Sequence, residues 1–251
     1  MLRNFNNTLD MQREKVYNDG IKDKGGINMP VKVGLRHIEL WNDTLENKVL
    51  EYEKEQVEPG QIVFYGPSYY TRWSEQYGAV PLREVIRGDS GKPCCVNRGF
   101  GSSCAEHQLY YYPRMVRPLC PSVLVYESFA NGGSFGYTAE ETFELAQRVM
   151  IYARTDFPGI HIYIAGPHPS VNQTAEALER KKKYAAYLKE FAQDTPDCSY
   201  IDVFNYAPLY NDDGTLNKDM FIADGVHFSN EGYKVITELY KTALKDELKR
   251  F

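Results

Sequence analysis

The stretch Gln61-Ile-Val-Phe-Tyr-Gly-Pro-Ser68 decides how the rest of this 251-residue chain is interpreted. Its four consecutive apolar residues, rich in β-formers, are typical of a strand that is buried on both faces of a sheet. Because Gly-Pro then breaks the strand and Tyr69–Glu75 can continue as a helix, the stretch predicts a strand–turn–helix unit. Repeated units of this kind build a parallel sheet covered by helices on both faces.

The same unit recurs along the chain. Further strands are predicted at Cys94–Asn97, Ser122–Tyr126, Ile160–Ile164 and Tyr200–Val203. Helices are predicted from Ala105 to about Tyr112, where Pro113 ends the helix, from the capping box Thr138–Glu141, and from about Gln173 to Gln193. Five strands that alternate with helices predict an α/β fold, a three-layer α/β/α sandwich with a five-stranded parallel sheet.

The first 43 residues differ from the rest of the chain. They carry no sustained hydrophobic period and are interrupted by turn-forming Asn, Asp and Gly residues. We predict that residues 1–43 form an N-terminal arm, loosely structured or packed on the domain, with one short strand near Val31–Val33. Residues 44–251 are predicted to form a single domain, whose first helix starts at Asn42-Asp43 and is stopped by Pro59-Gly60.

Composition and charge exclude several classes of function. The formal net charge of −5 is opposite to the basic surface that nucleic-acid binding requires. The one basic run, Arg180-Lys-Lys-Lys183, lies in a helical pattern after two glutamates, which predicts a solvated helix face. No apolar run approaches the roughly eighteen residues that a membrane span needs. The polar N-terminus is unlike a signal peptide and predicts a cytoplasmic protein, although a chain whose leader had been removed would look the same.

The five cysteines predict neither a disulfide framework nor a metal centre. Their number is odd, Cys94 and Cys95 are adjacent, and no Cys-x-x-Cys pair occurs. We therefore predict no zinc site, and we also predict no cofactor and no other metal. The sequence does not predict the oligomeric state.

Near the C-terminus, Asp224-Gly-Val-His227 places a carboxylate three residues before an imidazole. One tight turn at the glycine can bring the two side chains together, so that the carboxylate holds one ring N–H and stabilises the imidazolium. A helix is predicted immediately afterwards, with Ser229 and Asn230 as cap residues. A lone Asp-x-x-His is more often a turn-capping Asp beside a half-exposed His, so this motif needs support from elsewhere in the chain.

That support comes from the predicted sheet. Ser68, the 99–103 loop, the 127–131 loop and the Asp224–His227 turn all follow predicted strands. The carboxyl ends of parallel strands share one edge of the sheet, where such folds bind ligands. Taken alone, Ser68 fits a helix N-cap and the 99–103 loop fits a plain strand-to-helix turn. Taken together, the four segments predict a site that combines a serine, a histidine and a carboxylate.

These residues resemble the SGNH hydrolases, also called GDSL-type esterases. The resemblance covers most of residues 45–245 and is closest in Val96-Asn-Arg-Gly-Phe-Gly-Ser102 and in Asp224–Tyr233. It implies a flavodoxin-like α/β/α fold and hydrolysis of acyl esters without a metal. It also implies that Ser68 is the nucleophile, His227 the general base and Asp224 its orienting acid. The oxyanion hole would consist of the Ser68 and Ser102 backbone N–H groups and the Asn131 side chain.

Three departures from the family pattern accompany the resemblance. Gly66-Pro-Ser68 replaces the usual Gly-Asp-Ser, and a literal Gly-Asp-Ser at Gly88–Ser90 follows an amphipathic stretch, so we interpret it as a decoy. Ser102 stands where the family has an oxyanion glycine, which can be tolerated because the donor is main chain. The third block of the family pattern, Gly-x-Asn-Asp, corresponds here to Phe129-Ala-Asn-Gly132, which keeps the Asn but not the flanking Gly and Asp. A shift of one residue in this alignment would put Ala130 at the Asn position.

The sequence therefore predicts a serine esterase that cleaves a small acyl ester through a Ser-His-Asp triad and an acyl-enzyme. Tyr69, beside Ser68, and His168, on the loop after the fourth strand, are predicted to contact the small-molecule substrate. An acetylated carbohydrate is suggested by tyrosines near the site, although tyrosines also simply fill cores: Tyr65, Tyr69, Tyr70 and Tyr126. Two alternatives stay open. One is a catalytically weakened SGNH-like module that binds a ligand or partner, and the other is a doubly wound phosphate or flavin binder, although the first loop lacks the run of glycines that would cradle a phosphate.

Overall fold

The computed structural model describes residues 34–37 and 42–251. Its strands are β1 (Ile62–Gly66), β2 (Cys95–Gly99), β3 (Val123–Tyr126), β4 (His161–Ala165) and β5 (Cys198–Ile201). Its α-helices are α1 (Asn42–Glu53), α2 (Ser68–Thr71), α3 (Leu82–Val85), α4 (Ala105–Met115), α5 (Ala139–Asp156), α6 (Ala175–Asp194), α7 (Asn230–Ala243) and α8 (Lys245–Leu248). Short 3₁₀ helices lie at Glu75–Tyr77, Arg117–Leu119, Gly132–Phe135, Ala207–Leu209 and Lys218–Met220.

The strands form one parallel sheet in the order β2-β1-β3-β4-β5. In β1, Phe64 is paired with Asn97 of β2 on one side and with Val125 of β3 on the other. The strand order reverses at β1 and β3, and such a switch point opens a crevice at the carboxyl ends of the strands. The predicted fold class, an α/β sandwich with a five-stranded parallel sheet, is confirmed.

Alternating strand residues divide the interior into two cores. Val63 and Tyr65 of β1 face the layer formed by α1, α4, α5 and α6, whereas Ile62 and Phe64 face α2, α3, α7 and α8. All four side chains are completely buried. The continuous apolar run of β1 follows from this position, because a central strand has helices on both of its faces.

Two local predictions differ from the structure. The predicted helix end at Pro113 is wrong, because α4 continues through Pro113 to Met115. A proline within a helix removes the hydrogen bond that its N–H would have made. Here the loss falls in the last turn, where Met115 still packs in the core. The helix after Ser68 is also shorter than predicted, since α2 ends at Thr71 and is followed by a separate 3₁₀ turn.

The division into an arm and a domain stays a prediction, and the predicted strand near Val31–Val33 lies outside the described residues. Within the arm, the His37 backbone N–H donates to Oε1 of Glu106 in α4 at 2.7 Å. The Arg36 guanidinium lies 4.2 Å from the centre of the Tyr137 ring. Within residues 34–37 and 42–251, no helix is both long enough and apolar enough to cross a membrane.

Candidate active site

Ser68 is the first residue of α2 and lies at the carboxyl end of β1. Its hydroxyl oxygen is 2.8 Å from Nε2 of His227, a residue 159 positions away in the chain. The alternative that the Ser68 side chain caps the helix is wrong, because Pro67 occupies the N-cap position and no side-chain cap is formed. As the first residue of a helix, Ser68 leaves its own backbone N–H without an intrahelical acceptor.

The Asp224–His227 turn holds the imidazole in place. Gly225 has a φ of +67°, a left-handed conformation that glycine adopts without steric cost. Oδ1 of Asp224 accepts hydrogen bonds from the backbone N–H groups of Val226 and His227 at 2.8 and 2.9 Å. Oδ2 of Asp224 lies 2.7 Å from Nδ1 of His227. The tight turn predicted from the glycine therefore brings the two side chains together.

The carboxylate of Asp224 determines where the imidazole carries its proton. An ionised carboxylate only accepts hydrogen bonds, so the proton shared with His227 is on Nδ1 and Nε2 can accept from the Ser68 hydroxyl. Burial raises the pKa of Asp224, but the hydrogen bonds from His227 and Val226 outweigh this effect and hold the pKa below its ordinary value. Ser68, His227 and Asp224 form a continuous chain along which serine can pass its proton to the imidazole.

The carboxyl end of β2 packs directly against α2. A Cβ atom at Gly99 would overlap the backbone of Tyr70 and Thr71. Asn97 joins the same segments, because its side-chain amide donates to the Tyr70 carbonyl at 2.7 Å and its Oδ1 accepts the Gly99 N–H at 2.8 Å. Asn97 is not among the predicted site residues, although it lies inside one of the two blocks that carry the family resemblance.

Ser102 has the backbone conformation of a glycine. Its φ is +68°, in the left-handed region that other residues rarely enter. Ser102 is exposed and is not among the described residues that line the cavity beside Ser68. A Cβ atom at its neighbour Gly101 would stand 3.9 Å from Cβ of Ser68. Within the described residues, neither the Ser102 nor the Ser68 backbone N–H donates to a protein acceptor.

Asn131 lines the cavity and is bonded to a neighbouring loop. Its Nδ2 donates to the Ser103 carbonyl oxygen at 2.8 Å, and its φ of +65° is left-handed. Asn131 precedes the 3₁₀ helix Gly132–Phe135, but its side chain forms no cap there. Asn131 thus caps the glycine turn through its backbone, while its side chain is bonded to the Ser103 loop. Because an amide nitrogen carries two N–H groups, one remains for another acceptor.

These loops surround a cavity of about 160 Å³. Its lining comes from the segments after β1, β3 and β4, from the His227 turn and from α6: Ser68, Tyr69, Glu127, Phe129, Ala130, Asn131, His168, Arg180, Lys181, Val226 and His227. His168 is 3% exposed, and neither ring nitrogen has a hydrogen-bond partner in the described part of the chain. Burial, together with the charges of Lys181 and His227, holds the pKa of His168 well below its ordinary value. His168 is therefore a neutral ring with an unused donor and an unused acceptor at the cavity wall.

The two residues predicted to contact substrate lie together in this wall. The rings of Tyr69 and His168 are 3.7 Å apart between their centres. The other tyrosines invoked for carbohydrate binding, Tyr65, Tyr70 and Tyr126, are buried in the two cores. Tyr65, for example, donates its hydroxyl to the Gln108 carbonyl at 2.6 Å. Of the four tyrosines that suggested a carbohydrate substrate, Tyr69 is therefore the one that lines the cavity.

The prediction that Arg180–Lys183 is a solvated helix face is wrong for two of its residues. Lys181 is 9% exposed, and Arg180 is half-buried with its guanidinium 4.8 Å from the centre of the Phe129 ring. Lys181 stands three residues before Tyr184, which is completely buried. The buried stripe of α6 therefore continues through a lysine, and helical periodicity was the signal that could have revealed it. The other two lysines of the run are exposed, as predicted.

Glu127 is also absent from the predicted site residues, although it is completely buried directly after β3. Its Oε1 accepts the Phe129 N–H at 3.0 Å, whereas Oε2 has no partner among the described residues. Burial raises the pKa of Glu127 to about 8, so its carboxyl group is mainly protonated at neutral pH. Nothing in the local pattern distinguishes this Glu from a solvated one, and its burial is a result of the fold.

The literal Gly-Asp-Ser sequence lies away from this cavity. The Ser90 hydroxyl donates to the carbonyl oxygen of Phe251, the last residue of the chain. Gly88 packs against the same residue, where a Cβ would overlap Phe251. Ser90 is exposed and lines no part of the cavity among the residues that the structure describes.

No protein-family pattern and no curated protein matches the chain. Among solved structures, a putative acylhydrolase from Bacteroides fragilis is 20% identical, matches 81% of this chain and 97% of its own, and has a TM-score of 0.65. A GDSL-like lipase from Bacteroides thetaiotaomicron is 16% identical, with 84% and 100% of the two chains matched and a TM-score of 0.58. A variant of an acetyl-xylooligosaccharide esterase from Geobacillus is 13% identical, with 74% and 94% matched and a TM-score of 0.57.

At sequence identities of 13–20%, the similarity to these solved structures shows a shared fold and nothing more. Each of the three structures is matched over at least 94% of its own length. The resemblance seen in the sequence is confirmed at this level: the chain has the SGNH hydrolase fold of the GDSL-type lipases, acylhydrolases and acetylxylan esterases.

Proposed function

We propose that this protein is a serine esterase that hydrolyses a small acyl ester without a metal. One observation carries the proposal: Ser68, His227 and Asp224 are linked by distances of 2.8 and 2.7 Å, and Ser68 and His227 line a cavity. A serine hydroxyl becomes an effective nucleophile when a neighbouring base takes its proton. The similarity in fold to an acylhydrolase and to an esterase supports the same class of reaction.

In the proposed reaction, Oγ of Ser68 attacks the ester carbonyl while Nε2 of His227 takes the hydroxyl proton. Asp224 stabilises the imidazolium that forms. The imidazolium then protonates the leaving alcohol, and the acyl group stays on Ser68. In the second half of the cycle, His227 takes a proton from a water molecule as its oxygen attacks the acyl carbonyl. The bond between Oγ and the acyl group then breaks, the imidazolium returns the proton to Oγ of Ser68, and the acid is released.

The negative charge that develops on the carbonyl oxygen requires donors that are already in place. We assign this role to the backbone N–H groups of Ser68 and Ser102 and to the second N–H of the Asn131 amide. The two backbone groups have no protein acceptor within the described residues, and Ser102 has the left-handed φ of a glycine. The hydrogen bond from Asn131 to Ser103 would hold the amide in position.

The cavity favours a small acyl group. Its volume of about 160 Å³ is well below the roughly 300–1,000 Å³ of sites for drug-sized ligands. Tyr69 and His168 are the proposed substrate contacts, since both line the cavity. An acetylated carbohydrate is one proposed substrate class, and the similarity in fold to an acetyl-xylooligosaccharide esterase supports it.

A fluorophosphonate probe tests this proposal, because it reacts with activated serine nucleophiles. We expect a single label at Ser68, located by peptide mass spectrometry, and no label in Ser68→Ala. Ser90→Ala is the matched control, because it changes the literal Gly-Asp-Ser sequence, and it should label like the unmodified protein.

The alternative is an SGNH-like module that binds a ligand or partner without catalysis. The altered third block, Phe129-Ala-Asn-Gly132, favours it. A folded protein that takes no label at Ser68 and hydrolyses no short aryl ester would establish this alternative.

A further inference from the structure

The cavity contains two cationic side chains that the proposed reaction does not use. Arg180 and Lys181 of α6 line it together with Ser68. Lys181 is 9% exposed, and its Nζ donates to the uncharged hydroxyl of Ser170 at 2.8 Å. Nη1 of Arg180 is buried without a hydrogen-bond partner in the described part of the chain. Because buried charge is costly unless it is paired, two cations without an ion-pair partner at a cavity wall favour the binding of an anionic ligand.

The fold makes room for the Arg180 guanidinium. It lies over the Phe129 ring, 4.8 Å from the ring centre, in a cation–π contact. It also contacts the backbone at Gly133, where a Cβ atom would overlap the guanidinium. Gly133 is not among the residues with positive φ. Its missing side chain is therefore explained by the approach of Arg180, and not by backbone conformation.

Nearby carboxyl groups do not neutralise these cations. Neither Arg180 nor Lys181 forms an ion pair within the described residues; their polar contacts are those given above. Glu127 acts electrostatically on Lys181 but forms no hydrogen bond or ion pair with it within the described residues; burial raises the pKa of Glu127 to about 8 and lowers that of Lys181 to about 8. One carboxyl group therefore faces two cations, and even an ionised Glu127 would leave a positive charge. Glu176, which acts electrostatically on Arg180, is exposed. Asp224 is already bonded to His227, and the net charge at the α6 side of the cavity is positive.

We propose that Arg180 and Lys181 form a carboxylate subsite, and that the ester cleaved at Ser68 carries this carboxylate in its acyl group or in its alcohol. This inference rests on the proposed esterase function and specifies its substrate class. A guanidinium with free N–H groups matches the two oxygens of a carboxylate, and Lys181 adds a second charge. His168 provides a further neutral donor in the same wall.

Two pairs of esters distinguish the two sources of the carboxylate. In the acyl pair, the mono-4-nitrophenyl ester of glutaric acid is compared with 4-nitrophenyl pentanoate. In the alcohol pair, 3-acetoxybenzoate is compared with its methyl ester. The measured quantity is the ratio of kcat/KM for the charged member to that for the neutral member, after subtraction of the rate in Ser68→Ala.

We expect this ratio to fall about 10- to 100-fold in Arg180→Gln and Lys181→Met for one of the two pairs, because each loses a charge-assisted hydrogen bond. Arg180→Lys, which keeps the charge, should recover part of the ratio. Lys182→Gln is the matched control, since Lys182 belongs to the same basic run but is exposed and paired with Glu179. An unchanged ratio in Arg180→Gln for both pairs overturns the proposal.

Gly133→Ala tests the same subsite without removing a charge. The added methyl group would displace the flexible end of Arg180, so the ratio should fall here as well. Circular dichroism of each variant verifies folding. If Arg180→Gln fails to fold, Gly133→Ala and Lys181→Met test the proposal in its place. An unchanged ratio of kcat/KM for charged and neutral esters in both variants overturns the proposal.

A binding measurement separates this inference from the esterase proposal. Glutarate should bind to Ser68→Ala in isothermal titration calorimetry, and the additional change Arg180→Gln should weaken that binding at least tenfold. If glutarate binding depends on Arg180 while the unmodified protein hydrolyses no ester, the subsite is supported and the reaction is refuted. Hydrolysis of neutral esters without glutarate binding and without charge preference supports the reaction and refutes the subsite.

Discussion

The side-chain amide of Asn131 donates a hydrogen bond to the carbonyl oxygen of Ser103, with 2.8 Å between nitrogen and oxygen. This bond joins the loop after β3 to the loop after β2, which are two of the three segments assigned to the oxyanion hole. It uses one of the two amide N–H groups and leaves the other for a substrate oxygen. Asn131 therefore links the two loops with one amide N–H and, in the proposed mechanism, donates the other N–H to the substrate.

Removing this amide should strongly impair hydrolysis. We expect Asn131→Gly to lower kcat for a short aryl ester by about 10²–10³-fold, the usual effect of losing one oxyanion donor. Glycine is chosen because Asn131 has a φ of +65°, which glycine adopts without strain. Ala130→Asn is the companion variant, since a one-residue shift of the third block would make position 130 the donor. A neutral Asn131→Gly together with a faster Ala130→Asn would refute the assignment.

Ser68→Ala and His227→Ala should each abolish ester hydrolysis while the protein stays folded. The reason is that the nucleophile and its base act as one unit, so losing either removes the same step. Activity is measured with a short aryl ester, and folding by thermal unfolding. Ser90→Ala should retain activity, since Ser90 lies against the C-terminal residue. An active, folded Ser68→Ala would exclude Ser68 as the nucleophile.

The role of Ser102 depends on its backbone, and two substitutions separate backbone from side chain. At a φ of +68°, glycine is unstrained, whereas a β-branched residue is a steric outlier. We expect kcat to be at least about tenfold lower in Ser102→Val than in Ser102→Gly, because valine would move the N–H out of place. Equal kcat values in two folded variants would show that this N–H is not a donor to the oxyanion.

The buried carboxyl group of Glu127 should make stability depend on pH. Its pKa is raised from 4.5 to about 8 by burial, so between these values the folded state keeps a proton that the unfolded state has released. The free energy of unfolding should therefore fall as the pH rises through this window, by up to about 1.4 kcal/mol per pH unit. Glu127→Gln, which cannot ionise, should show a flatter profile in urea unfolding. Parallel profiles for the two proteins would show that Glu127 titrates normally.

The sequence pattern predicted a structural feature correctly where the interactions that cause it lie within a few residues of each other. The apolar run at Ile62–Tyr65 predicted β1, and the capping box at Thr138 predicted the start of α5, where Thr138 and Glu141 bond to each other's backbone N–H groups. The Asp224–His227 turn is of the same kind, because both partners and the glycine between them lie within four residues. Pro113 shows the limit, since packing of the surrounding helix outweighed the local effect of a proline.

Other features depend on residues that only the fold brings together. The 2.8 Å contact between Ser68 and His227 joins positions 159 residues apart, and the sequence predicted it only as a shared edge of a parallel sheet. Arg180 and Lys181 have the composition of a solvated face, yet packing of α6 places them at the cavity. The burial of Glu127 follows from what covers the end of β3.

The sequence by itself determined the strands, their alternation with helices, the class of fold and the segments that meet at one edge of the sheet. These follow from periodicity and turn chemistry, which act over a few residues. Tertiary structure alone decided that α6 brings two cations to the cavity and that Glu127 is buried beside them. The physical reason is that desolvation and charge pairing depend on the neighbours in space, and a local sequence pattern does not specify these neighbours.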